Sequence, residues 1–242
     1  MNNIVNKANS INAVMLNQVK KVLLVGASGL TGQALLEKLM ADESVTEIHL
    51  LLRSKLATNA DKVHQHVIDF DNLEIFEYLF QCDVIFCCLG TTLSKAKTKE
   101  NFKAVDVELV VKCAQLASSA NCAKFIVISA LGADQHSLFF YNKCKGEMQH
   151  QVINTCATAD TQVVFCQPSL LLGTRKEKRI AEQLSAKLSQ WFNFIWRGFM
   201  KQYQPITATQ LASAMLLLAK TTATSKVSVI SNNALHQLST KP

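Results

Sequence analysis

A chain of 242 residues with 49% apolar and 18% charged side chains can bury a core of its own, unlike disordered chains or small disulfide-held scaffolds. No run of 18 apolar residues occurs, so no segment reads as a membrane span. The net charge of +7 favours anionic ligands, but 21 of the 25 basic residues are scattered lysines without interleaved aromatics, which argues against a nucleic-acid partner.

Residues 1–19 mix Asn, Ser and Lys with isolated apolar positions and lack the continuous apolar stretch of a secretory signal. We expect a loose extension there, one domain over 20–242 and a cytoplasmic protein. Short apolar runs at 21–25, 47–52, 63–68, 83–89, 125–129, 162–166 and 227–230 read as buried strands. Helical spacing fills the gaps at 30–40, 73–80, 102–117, 141–154, 180–192 and 207–220. Parallel strands need long crossovers, so this alternation predicts a single α/β Rossmann domain. Its doubly wound parallel sheet has about seven strands, helices on both faces and a small C-terminal substrate lid. With three prolines and no Gly/Ser linker, no second domain boundary is visible.

The first strand runs into Gly26-Ala27-Ser28-Gly29-Leu30-Thr31-Gly32, where a helix begins. In such a turn glycines permit a tight bend, close approach of a pyrophosphate and close helix packing, and the helix N-terminus offers free N–H groups to phosphate. Gly26, Ser28, Gly29, Leu30, Thr31 and Gly32 are therefore the expected dinucleotide contacts. The second strand ends in Arg53-Ser54-Lys55 with no carboxylate for ribose hydroxyls, so Arg53 points to a 2'-phosphate and to NADP(H) in preference to NAD(H). A plain surface arginine at a strand end is the alternative. Asp69, after the third strand, suits either an adenine amino group or the cap of the next helix.

The eight cysteines read as free thiols, and Cys87 and Cys88 sit next to each other on a buried strand, pointing to opposite faces. No Cys-x-x-Cys pair is present, and no metal site is expected. Tyr141 and Lys145 are four apart on a helix and share a face, and Ser129 ends the fifth strand at the carboxyl edge where ligands bind in open α/β sheets. Reduction of a carbonyl needs a proton donor. A tyrosine can serve if nearby positive charge, from Lys145 and an oxidised nicotinamide, favours its phenolate, while Ser129 holds the carbonyl oxygen. A surface tyrosine and a strand-end serine would give the same letters.

The glycine turn resembles the atypical short-chain dehydrogenases, most nearly the Tat-interacting-protein-like oxidoreductases, over about 20–219. So do Phe86-Cys87-Cys88-Leu89-Gly90-Thr91-Thr92, Ile128-Ser129-Ala130-Leu131-Gly132-Ala133-Asp134 and Tyr141-x-x-x-Lys145-Gly146-Glu147. The resemblance implies catalytic positions for Ser129, Tyr141 and Lys145, and cofactor contacts from Leu89, Gly90, Thr91 and Lys145. It also implies that Gln167-Pro168-Ser169 passes the nicotinamide at Pro168, and that Gly173-x-Arg175-x-Glu177-x-Arg179 matches a subgroup pattern. Gln167 stands where relatives often have arginine, and Asp106 where many have a catalytic asparagine. The implied activity is NADPH-dependent reduction of a small carbonyl substrate, the alternative being an NADP(H)-binding regulator without turnover. The cluster Trp191, Phe192, Phe194, Ile195, Trp196 and Phe199 suits a lid, core packing, a homo-oligomer or a protein partner.

Overall fold

Inner strands such as Lys21–Val25 and Val84–Cys87 are apolar on both sides, which a sheet covered on both faces accommodates. The computed structural model describes residues 18–58, 60–173, 202–222 and 225–240. Its main sheet is built from β1 (Lys21–Val25), β2 (Glu47–Leu52), β3 (Val63–Val67), β4 (Val84–Cys87), β5 (Lys124–Ile128), β6 (Gln162–Gln167) and β9 (Val227–Ser231). The strands run in the order β3-β2-β1-β4-β5-β6-β9, all parallel. The order reverses between β1 and β4, so loops leaving their carboxyl ends diverge to opposite faces and open a crevice, where ligands bind in such sheets. A separate pair, β7 (Leu171–Leu172) with β8 (Ile206–Thr207), lies between β6 and β9 in sequence.

Helices α1 (Leu30–Ala41), α6 (Ala208–Lys220) and α7 (Asn232–Ser239) cover one face. There Leu35, Leu39, Leu211, Met215 and Leu235 meet Leu24, Leu50, Phe86 and Ile126. Helices α4 (Leu109–Ser119) and α5 (Phe140–Thr155) cover the other with a 3-10 segment, Phe70–Phe80. On that face Leu73, Phe80, Cys113 and Met148 meet Leu23, Leu51, Ile85 and Phe125. Each such side chain, fully removed from water, stabilises the fold by roughly 1.5–3 kcal/mol.

Two expected elements differ in form. The 73–80 helix is a 3-10 segment with non-helical residues Asn72 and Phe76 inside it. The 102–117 helix is divided into α3 (Lys99–Lys103), a π-helical turn Ala104–Glu108 and α4. Asp106 and Val107 within the π turn are both buried. A short α2 (Leu93–Ala96) and helix α7 were not expected at all. The expected 180–192 helix, the 191–199 aromatic cluster, Arg175, Glu177, Arg179 and most of the 1–19 extension lie outside the described residues.

Among the described residues no helix is long and apolar enough to cross a membrane, and no group of three or more His, Cys, Asp or Glu could hold a metal ion. All eight cysteines are free thiols.

Candidate functional site

The crevice at the switch point holds a cavity of about 360 Å³ lined by Gly26, Ser28, Gly29, Arg53, Gly90 and Thr91, among others. Gly26 has φ +88°, and a Cβ there would sit 2.7 Å from the Cys88 carbonyl. At Gly32 a Cβ would lie 2.1 Å from the Gly26 oxygen, so only glycine lets α1 press onto the turn. Gly29 caps α1 without a side-chain hydrogen bond, leaving the first-turn N–H groups for a ligand. The Thr31 hydroxyl beside them is buried and makes no hydrogen bond. An uncapped helix end, a turn too tight for any Cβ and an unsatisfied buried hydroxyl fit a pyrophosphate.

Arg53 reaches the same cavity from the end of β2, its guanidinium 5.9 Å above the Phe70 ring, with Leu89 from the end of β4 opposite. Of the two roles open to Asp69, the structure shows the cap: its carboxylate accepts from the Asp71 amide at 3.1 Å and from Asn72 Nδ2 at 3.0 Å. Of the expected contacts, Leu30, Thr31, Gly32, Asp69, Lys145 and Pro168 do not line the cavity. Pro168 is buried, its carbonyl accepting from the Leu131 amide at 2.8 Å.

Helix α5 carries Tyr141 and Lys145 as expected, and Lys103 ties the helix to α3 through Glu147 at 2.8 Å. Lys145 Nζ lies 6.0 Å from the Tyr141 ring centre, and that ring stands edge-on to Phe102. The π turn aims Asp106 inward, where one oxygen meets Lys145 Nζ at 2.7 Å and the other accepts from the Thr91 amide at 2.7 Å. Asp106 and Lys145 are almost wholly buried. Thr91 lines the cavity, so one carboxylate joins the dinucleotide crevice to the Tyr-Lys pair.

Ser129 is buried behind them, and its hydroxyl oxygen accepts from Gln149 Nε2 at 2.6 Å. Gln149 is held in turn by Gln167 Nε2 at 3.5 Å. Gln149 falls one turn beyond Lys145 and two beyond Tyr141, so the shared helix face was the signal that would have found it. The sequence reading expected Lys145 to favour the phenolate. In the chain alone the balance goes the other way: although 42% of Tyr141 stays exposed, partial desolvation pushes its phenol above the ordinary value, Lys145 pulls it down, and Asp106 pushes it up again.

A family model described as NAD(P)H-binding matches residues 26–165, more than half of the chain, from the glycine turn into β6. The chain belongs to the NAD(P)H-binding family. The Tat-interacting-protein-like resemblance is borne out within this NAD(P)H-binding family: the rat protein HTATIP2 is 38% identical over 174 residues, 70% of each chain. The Debaryomyces hansenii protein FMP52, mitochondrial, is 30% identical over 203 residues, 81% of this chain and 86% of the relative. Among solved structures, a short-chain dehydrogenase/reductase superfamily protein from Agrobacterium tumefaciens with bound NAD covers 87% of this chain and 77% of its own. At a TM-score of 0.62 and 10% identity it shares the fold. The expected cytoplasmic location does not stand, because FMP52 relatives from several fungi are mitochondrial by name.

Proposed function

We propose that the chain is an NADPH-dependent oxidoreductase that delivers a hydride to a small carbonyl compound, with Tyr141 as proton donor. The observation that carries this reading is the Asp106 carboxylate, bonded at once to the Thr91 amide in the dinucleotide crevice and to Lys145 beside Tyr141. Hydride donor and proton donor have to flank the same carbonyl, and this contact supports a crevice and a Tyr-Lys pair close enough to do so. Residues 20–242 work as one unit, with the substrate side supplied by the chain after Pro168.

The amides of the Gly26–Gly32 turn and of α1 would hold the pyrophosphate, and Arg53 the 2'-phosphate. A bound dihydronicotinamide supplies the hydride. Ser129 gives Gln149 only its oxygen lone pair, so its one hydrogen is free to hold the carbonyl oxygen. Tyr141 then protonates the alkoxide, and the phenolate left behind, on a half-exposed side chain, regains its proton from water.

Tyr141→Phe tests this. We expect NADPH oxidation against a panel of aldehydes and ketones to fall by roughly 10²- to 10⁴-fold while cofactor affinity stays within twofold. Arg53→Ala should weaken NADPH roughly ten- to a hundredfold and leave NADH nearly unchanged. A parent protein that binds NADPH but turns over nothing in the panel would establish a cofactor-binding regulator instead.

A further inference from the structure

A lysine four residues after an active tyrosine acts by its charge, so whatever neutralises that charge decides what the tyrosine does. Here the Lys145 ammonium touches the Asp106 carboxylate at 2.7 Å, while the Tyr141 ring centre is 6.0 Å away. Neither member of the pair can be screened by water, being 3% and 1% exposed. Seen from Tyr141, the carboxylate offsets part of the ammonium's charge. An asparagine at this position would leave the ammonium uncompensated. The Thr91 amide fixes the second oxygen, so the carboxylate cannot turn away.

We propose that Asp106 is a positioning residue that holds Lys145 in a neutral pair and so keeps Tyr141 a protonated phenol, biasing the site toward giving a proton. This rests on Tyr141 being the acid, as proposed above, and adds the direction in which the site is set. A phenol held protonated donates across the whole neutral range. An enzyme set to oxidise alcohols would need the phenolate. The upward direction of the Tyr141 phenol, from partial desolvation first, with Lys145 lowering it and Asp106 raising it, agrees with the geometry.

The test reads the phenol itself and needs no turnover. Ultraviolet tyrosinate absorbance is followed against pH, and the Tyr141 contribution is isolated by subtracting the Tyr141→Phe protein. The chain has only 3 tyrosines, so this difference is readable. Asp106→Asn frees the ammonium and should move the Tyr141 midpoint to lower pH, raising the phenolate fraction well below it by roughly tenfold.

The double variant Asp106→Asn with Lys145→Met removes both charges and still offers the Thr91 amide an oxygen. Its midpoint should stay near the parent's. Lys145→Met alone, which bares the carboxylate, should move it to higher pH. If Asp106→Asn folds poorly, as melting would show, the other two variants decide. An unmoved or raised midpoint in Asp106→Asn would overturn the proposal, and so would a double variant that rises as far as Lys145→Met. Absence of turnover in the parent would refute the reductase reading without touching this titration.

Discussion

At the scale of single residues, the direction of one hydroxyl hydrogen separates a working serine from an idle one. Gln149 Nε2 donates to Ser129 Oγ at 2.6 Å, so the serine hydrogen points elsewhere. Gln149→Glu keeps the size and reverses the bond: a carboxylate accepts only, and Ser129 would turn its hydrogen toward it. We expect kcat/KM for carbonyl reduction to drop about a hundredfold, as when one oxyanion donor is lost, with KM for NADPH unchanged. Steady-state kinetics beside Ser129→Ala would check this, and a Gln149→Glu protein with parental kcat/KM would refute it. Ser129, Tyr141 and Lys145 were readable because spacing puts them on known faces. Asp106 was visible only as an oddity of residue type. Its partners lie 15 and 39 positions away, and an apparently continuous helical pattern hid the π turn that aims it.

At the scale of elements, the edge of the sheet carries a histidine network. His49 on β2 shares a 2.8 Å hydrogen bond with His66 on β3, meets Glu47 at 2.5 Å, and stacks between His64 and His66. Lys21 on β1 faces the same cluster through Glu47. A bond between two imidazoles needs one of them as acceptor, so it survives only while that ring is neutral. Burial holds both His49 and His66 below the ordinary histidine value. With folded values below the unfolded 6.5, the unfolded chain takes up protons first. Stability from this edge is therefore complete above 6.5 and is lost as pH falls through the folded values. Glu47, held low by its bond to His49, acts with the same sign further into acid.

The measurable consequence is selective opening of β3. Hydrogen exchange of the β3 amides, corrected for intrinsic rates, should accelerate between about pH 7 and pH 5.5 while β5 and β6 stay protected. His66→Phe should flatten that dependence. Equal pH sensitivity with and without His66 would locate its cause elsewhere. The opposite side of the molecule is fastened differently. Burial pulls Lys124 down to about 8, and it gives its three protons to the carbonyls of Leu218, Ala219 and Thr221, closing the end of α6. Strand composition made β2 and β5 legible as strands. It could not show that a histidine and a lysine inside them would be buried with partners from distant segments.

At the scale of the whole molecule, the alternation of runs sufficed for the layered sheet, since parallel strands, crossovers and handedness leave few arrangements. The crevice follows from that order, because the loops after β1 and β4 are the ones that part. Occupancy of the crevice should therefore stabilise the entire fold. At a hundred times its Kd a ligand of the native state contributes about 2.7 kcal/mol. For a domain of this length that corresponds to a rise of roughly 5–10 °C in Tm. Thermal melts with NADPH should show it, and Tyr141→Phe should keep it, since Tyr141 does not line the cavity. Gly32→Ala should not: its Cβ, 2.1 Å from the Gly26 oxygen, forces α1 away from the turn and spoils both the packing and the row of amides. We expect that variant to melt lower by itself and to gain little from NADPH. A Gly32→Ala protein that gains as much as the parent would mean the dinucleotide is held by something other than the helix end, and the crevice would lose its assigned ligand.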